Sequence, residues 1–170
     1  NVYISLAAVL AAQISGVKNE TLRKCLSNFP GVEHRLQKIC TVGGVTYIND
    51  SKATNVDACW YALESMTQPT VLILGGVDKG NDYSQIYELV KQKCIGIVYM
   101  GVDNKKLHDC FDSFGIPTRD TKSMKDAMAA CRELARPGST VLLSPCCASF
   151  DLFKNMEDRG EQFMEIAINS

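Results

Sequence analysis

The chain has 170 residues, 46% of them hydrophobic and 22% charged, with a mean hydropathy near zero. A soluble globular unit of that size buries roughly 70% of its unfolded-chain surface. Nineteen acidic against eighteen basic residues leave a formal charge of -1, which excludes the broad positive field that nucleic acid or an anionic membrane surface needs.

From Val2 the apolar positions Ile4, Leu6, Ala7, Val9, Leu10, Ala11 and Ile14 follow a helical period, with Gly16 where a helix C-cap falls. This stretch contains Ser5 and Gln13 and is far short of the roughly 20 residues a membrane span requires, and it lacks the basic start of a signal peptide. The chain is therefore expected in the cytoplasm, with neither nucleic acid nor membrane as partner. Asn19 is expected to cap a second short helix that ends before Pro30-Gly31. These two helices form a preamble, and opening directly in a helix suggests the tail of something longer.

After Arg35, segments 36–42 and 45–49 flank Gly43-Gly44, the residue choice for a two-residue hairpin turn. Beyond it, short apolar strands alternate with amphipathic helices: a strand over 70–74, a helix over 83–93, a strand over 95–100 and a helix over 104–114. A helix near 123–135, a strand over 140–143 and a last helix to about Ile168 complete the scheme. All-apolar strands separated by helices imply a doubly wound, mostly parallel α/β sheet covered on both faces. The eight cysteines sit mostly inside these periodic segments, without a C-x-x-C, and read as reduced small core residues.

In such sheets ligands bind beyond the carboxyl ends of the strands. Three polar clusters stand there: Asn49-Asp50-Ser51-Lys52-Ala53-Thr54-Asn55, Gly75-Gly76-Val77-Asp78-Lys79-Gly80, and Ser144-Pro145-Cys146-Cys147-Ala148-Ser149-Phe150-Asp151. The first can hold an anion with backbone N–H groups and Lys52, or simply be a helix start capped by Thr54 or Asn55. The second permits close backbone approach with Lys79 as a point charge, or is a glycine turn with a solvated lysine; it is neither a Walker A loop nor a G-x-G-x-x-G. In the third, Ser149 either caps the last helix or contacts a ligand carboxylate. Arg35, between preamble and sheet, can grip a phosphate or make a surface ion pair. His108, Trp60 and the Tyr and Phe residues, at helix-face spacings, read as packing residues.

In order, Gly31-Val-Glu-His34-Arg35-Leu, Tyr47-Ile-Asn-Asp50-Ser-Lys52-Ala-Thr54-Asn55, Leu74-Gly-Gly-Val-Asp-Lys79, Leu143-Ser-Pro-Cys-Cys-Ala-Ser149-Phe-Asp151 and Asn155-Met-Glu-Asp-Arg159-Gly160 resemble the C-terminal part of the Mur ligases of peptidoglycan synthesis. Asp50-Ser-Lys-Ala-Thr-Asn55 is the most specific string and resembles the branch that adds D-glutamate to UDP-N-acetylmuramoyl-L-alanine. The opening Asn1-x-x-Ile4-x-x-Ala7-Ala8 resembles the end of the family's His-Asn-x-x-Asn-x-x-Ala-Ala helix, with the histidine missing and Ile4 in place of the second asparagine.

The resemblance implies that residues 1–30 are the last helices of a central ATPase domain and residues 31–170 the complete Rossmann-like C-terminal domain, with a hinge at about 30–35. The N-terminal UDP-binding domain and the P-loop are not in these residues, so the chain alone is expected to be inactive and, by the same likeness, monomeric. The implied reaction uses ATP and Mg²⁺ to phosphorylate the alanyl carboxylate, after which the D-glutamate amine attacks the acyl phosphate; the Mg²⁺ ligands are expected outside this chain. For D-glutamate the resemblance implies Thr54 and Lys79 on the α-carboxylate, and Ser149 with the backbone around Phe150 and Met156 on the γ-carboxylate. For ATP it implies Arg35 on the phosphates, Asp50 on the ribose and Lys52, as catalytic residue, neutralising charge near the reacting centre. The alternative is a stand-alone Rossmann-like module that binds a nucleotide or an amino acid. A nicotinamide-dependent oxidoreductase is motivated only by fold class and lacks its glycine fingerprint.

Overall fold

A computed structural model describes residues 2–169, so Asn1, with which the family likeness opens, lies outside the described residues. The chain divides into two units, Asn1–Val32 and Glu33–Ser170. In the first, α1 (Val2–Ile14) and α2 (Asn19–Ser27) are joined through Gly16, whose φ of 81° closes the turn. Asn19 does not cap α2. The cap is Lys18, without a side-chain bond, and Asn19 instead accepts a hydrogen bond from Gln13 Nε2 at 2.9 Å, tying the two helices together. Ile4, Leu6, Leu10, Ile14 and Phe29 are exposed within this unit.

The second unit opens with a hairpin of β1 (Gln37–Val42) and β2 (Val45–Asn49), paired antiparallel. Gly43 and Gly44 take φ values of 56° and 79°, both left-handed, which is the turn that matches strand twist and that other residues adopt only at a cost. There follow α3 (Val56–Ser65), β3 (Thr70–Gly75), a 3-10 turn (Tyr83–Ile86), α4 (Tyr87–Lys93), β4 (Cys94–Met100) and α5 (Lys105–Phe111). A second 3-10 turn (Asp112–Phe114), β5 (Thr118–Thr121), α6 (Met124–Leu134), β6 (Thr140–Cys146) and α7 (Met156–Ile168) complete the unit. The strands lie in the order β1-β2-β6-β3-β4-β5, and every pairing after the hairpin is parallel.

Alternation along the central strands divides the core into two layers. Leu72, Leu74, Ile97, Tyr99 and Leu142 face one side with residues of α3, α4 and α5; Val71, Ile73, Val98, Met100, Val141 and Leu143 face the other with residues of α6 and α7. Each such fully buried side chain contributes about 1.5–3 kcal/mol over leaving it in water. The expected doubly wound α/β architecture with its leading hairpin is thus present.

Several details differ from expectation. The helix expected over 83–93 is broken after Ile86, and the one over 104–114 ends in a 3-10 turn. β5 was not anticipated. His108 packs edge-on against Tyr99, ring centres 4.7 Å apart, and does more than pack: its Nδ1 and Nε2 meet Asp112 Oδ2 at 2.8 Å and Asp120 Oδ2 at 2.6 Å, clamping α5 to the end of β5. Those carboxylates, Asp112 foremost, raise the imidazole above its ordinary pKa against the opposing effect of burial. All eight cysteines are free, but Cys25 is exposed and Cys40 and Cys110 are only half-buried. No helix among the described residues is long and apolar enough to cross a membrane.

Candidate functional site

Because β6 enters between β2 and β3, the loops that follow these three parallel strands become neighbours at one edge of the sheet, where a doubly wound fold opens its crevice. Hydrogen bonds stitch the loops together. Asp50 N donates to Leu143 O at 2.8 Å, Ser144 Oγ to Asp50 Oδ2 at 2.8 Å, Val77 N to Ala148 O at 2.8 Å and Asn81 Nδ2 to Cys146 O at 3.1 Å. Gly75 and Gly76, with φ near 126°, carry the chain across this junction where any side chain would press on the carbonyls of Met100 and Ala148.

Among the described residues three other than glycine hold left-handed backbone: His34, Leu36 and Cys146, with φ of 58°, 46° and 61°. Such strain costs on the order of 1–3 kcal/mol per residue and collects at functional sites. Two of the three flank Arg35, so the guanidinium is presented, exposed, from a turn its neighbours over-determine. His34 Nδ1 accepts from Asn49 Nδ2 at 2.9 Å, its carbonyl accepts from Lys52 N at 3.0 Å, and Leu36 N donates to Asp50 Oδ1 at 3.1 Å. The structure therefore brings Arg35, Asp50 and Lys52 together. It also gives Asp50 an unexpected task, since both carboxylate oxygens have internal partners and the residue is 4% exposed. Burial raises its pKa to about 6, against the lowering effects of Ser144, Leu36 and Arg35.

Both hydroxyls that could have been helix caps are left without that task. Asn55 Oδ1 caps α3 by accepting from Ala58 N at 2.8 Å, and Asn155 Oδ1 caps α7 by accepting from Asp158 N at 2.7 Å. Ser149, 2% exposed, precedes the cap of α7 by six residues, and among the described residues its hydroxyl has no hydrogen-bond partner, nor does that of half-buried Thr54. Phe150 is 70% exposed and Met156, the first residue of α7, is half-buried. Met156 O accepts from Ser51 Oγ at 2.7 Å. Lys79 is exposed and Lys52 half-buried; neither amine has a carboxylate within ion-pair distance among the described residues.

Arg159 of α7, which stands in the Asn155–Gly160 string but carries no role in the sequence reading, ties two of the loops together. Fully buried, it donates from Nε to Ser51 Oγ at 2.9 Å, from Nη2 to Ser51 O at 2.9 Å and from Nη1 to Cys147 O at 3.1 Å. Burial lowers its pKa to about 10, far above neutrality, so it is a fixed cation joining the first and third loops, with no carboxylate within ion-pair distance among the described residues. An arginine one residue before a glycine that packs on the His34 ring was the available signal. Among the described residues no three His, Cys, Asp or Glu side chains are placed to hold a metal ion.

The profile of the family described as "Mur ligase, glutamate ligase domain" matches residues 34–147. The chain belongs to the Mur ligase family. This Mur ligase chain is 61% identical over 164 residues to the UDP-N-acetylmuramoylalanine--D-glutamate ligase of Bacteroides thetaiotaomicron, covering 96% of the chain and 37% of that relative. It is 52% identical over 169 residues to the enzyme of the same name from Porphyromonas gingivalis, covering 99% and 38%. The chain thus spans less than two-fifths of the length of these relatives. The solved UDP-N-acetylmuramate-alanine ligase of Thermotoga maritima shares its fold, with a TM-score of 0.69 at 15% identity over 99% of this chain and 38% of that one.

Proposed function

We propose that this chain is the C-terminal part of an ATP-dependent ligase that joins D-glutamate to UDP-N-acetylmuramoyl-L-alanine, acting as a monomer in the cytoplasm. The observation that carries the reading is electrostatic. Arg35, Lys52, Lys79 and Arg159 lie on, or are bonded to, the loops at one sheet edge with no carboxylate in ion-pair contact among the described residues, while Asp78 there is matched by Lys106 and Asp50 is buried with both oxygens bonded internally. That is the charge balance of a site for polyanions, and D-glutamate and ATP are both polyanionic. The two relatives named for D-glutamate ligation support the choice of amino acid.

Thr54 Oγ1 and Lys79 Nζ hold the α-carboxylate. Ser149 Oγ and the N–H groups of Phe150 and Met156, which have no acceptor among the described residues, hold the γ-carboxylate. Fixing both carboxylates leaves the amine free to lose a proton and aims its lone pair at the activated alanyl carbon. Arg35 meets the phosphates, Asp50 the ribose through the lone pairs its two internal bonds leave free, and Lys52 balances negative charge near the reacting atoms. ATP, bound with Mg²⁺, supplies the phosphoryl group that activates the alanyl carboxylate. The segment expected over 1–30 supplies the last helices of a preceding central domain, a reading supported by exposed apolar side chains, with Ile14 87% exposed, and by the structural division after Val32.

In the complete ligase, Lys79→Ala or Ser149→Ala is expected to raise the KM for D-glutamate by roughly ten- to a hundredfold while the KM for ATP stays near wild type. Steady-state kinetics checks this, and wild-type values for D-glutamate in both variants would reject the assignment.

A further inference from the structure

Between β3 and the 3-10 turn the chain makes a tight excursion with Lys79 at its tip, and one side chain closes it. Asp78 Oδ1 accepts from Gly80 N at 2.6 Å and from Asn81 N at 3.0 Å, so a single carboxylate oxygen spans the residue between them, Lys79. The same oxygen meets Lys106 Nζ of α5 at 3.3 Å, and Oδ2 accepts from Tyr83 Oη at 2.9 Å. Lys106 also donates to Asn81 O at 2.6 Å and lies 5.4 Å from the centre of the Tyr83 ring. Asn81 Nδ2 in turn bonds Tyr83 Oη at 3.2 Å and Cys146 O at 3.1 Å, anchoring the excursion to the end of β6. Burial alone would raise the Asp78 carboxyl, but the donors from Gly80, Tyr83, Asn81 and Lys106 together hold it below its ordinary range, so it stays charged at neutral pH.

We infer that Asp78, braced by Lys106, is the positioning residue for Lys79, and that this brace sets the affinity for the carboxylate of the amino-acid substrate. The inference rests on the reading of Lys79 as a carboxylate ligand. A lysine with four rotatable bonds at the tip of an unbraced glycine-flanked loop must be ordered on binding, at a cost in affinity; here the backbone is already fixed and only the side chain remains to be ordered. Lys106 cannot itself take the substrate in this arrangement, because its ammonium is committed to Asp78 and Asn81 O.

The test is a double-mutant cycle in the complete ligase, read as KM for D-glutamate, KM for ATP and kcat. Asp78→Ala is expected to raise the KM for D-glutamate about tenfold and to move the other two constants by less than about twofold, while Asp78→Asn, which keeps an acceptor for Gly80 and Asn81, loses less. Because Asp78 acts through Lys79, the double variant D78A/K79A should be no worse than K79A alone. Additive losses overturn the inference. So does an unchanged D-glutamate KM in D78A beside a raised one in K79A, which leaves the role of Lys79 standing; an unchanged KM in K79A removes both. Should D78A fail to fold, half-exposed Lys106 decides: K106M is expected to raise the same KM and K106R to restore it, and equal values for K106M and wild type overturn the brace.

Discussion

Asp50 carries an electrostatic burden that the rest of the domain must offset. With a folded pKa of about 6 against an ordinary 3.8, ionised Asp50 costs on the order of 3 kcal/mol at neutral pH. Between about pH 4 and pH 6 the folded chain keeps a proton here that the unfolded chain has released, so this group makes stability fall as pH rises through that window. Asp50→Asn, whose amide can still accept from Leu36 N and pair with the Ser144 hydroxyl, is expected to raise the melting temperature at pH 7.5 and to flatten the slope between pH 4 and 6. Thermal unfolding across that range checks both. The side chains proposed to touch substrate could all be named from the sequence, because charge and hydroxyl chemistry are written in residue types. What could not be read was backbone strain at Leu36 and Cys146, residue types that seldom take left-handed φ, and the bonding of the buried Arg159 guanidinium, whose partners are more than a hundred positions away or across a loop.

Strand and helix positions followed from hydrophobic periodicity wherever burial was two-sided. β3, β4 and β6 are continuous apolar runs and appear close to where the pattern puts them. β5 escaped because Thr118-Arg-Asp-Thr121 is a four-residue edge strand of polar side chains, the middle two exposed, a pattern a loop shares. β6 runs past Leu143 through Pro145 to Cys146, with a register shift against β3 that absorbs the missing N–H. The break at Ile86 reflects local competition: Asp82 caps a tight 3-10 turn through Ser84 N, and Tyr83 is drawn into the Asp78 cluster. At the other helix start in the site, Asn155→Ala removes the side-chain cap of α7, leaving Asp158 N without its acceptor. It is expected to lower unfolding free energy by about 1 kcal/mol, measured by urea denaturation.

The architecture gathers in one place what the chain distributes. Asp50, Lys79 and Ser149 belong to three loops far apart in sequence, and strand order alone makes those loops adjacent. That order has a consequence for biosynthesis. β6 lies at the heart of the sheet, yet it is the last strand to leave the ribosome, so β2 and β3 must wait with facing edges unpaired until residues 140–146 emerge. Nascent chains stalled with only residues up to 138 outside the exit tunnel are expected to be cut readily by protease, and those released past α7 to resist it. A cell making this domain therefore has an interval, late in each round of translation, in which two apolar strand edges stand open side by side, and that interval is when a chaperone has most to protect.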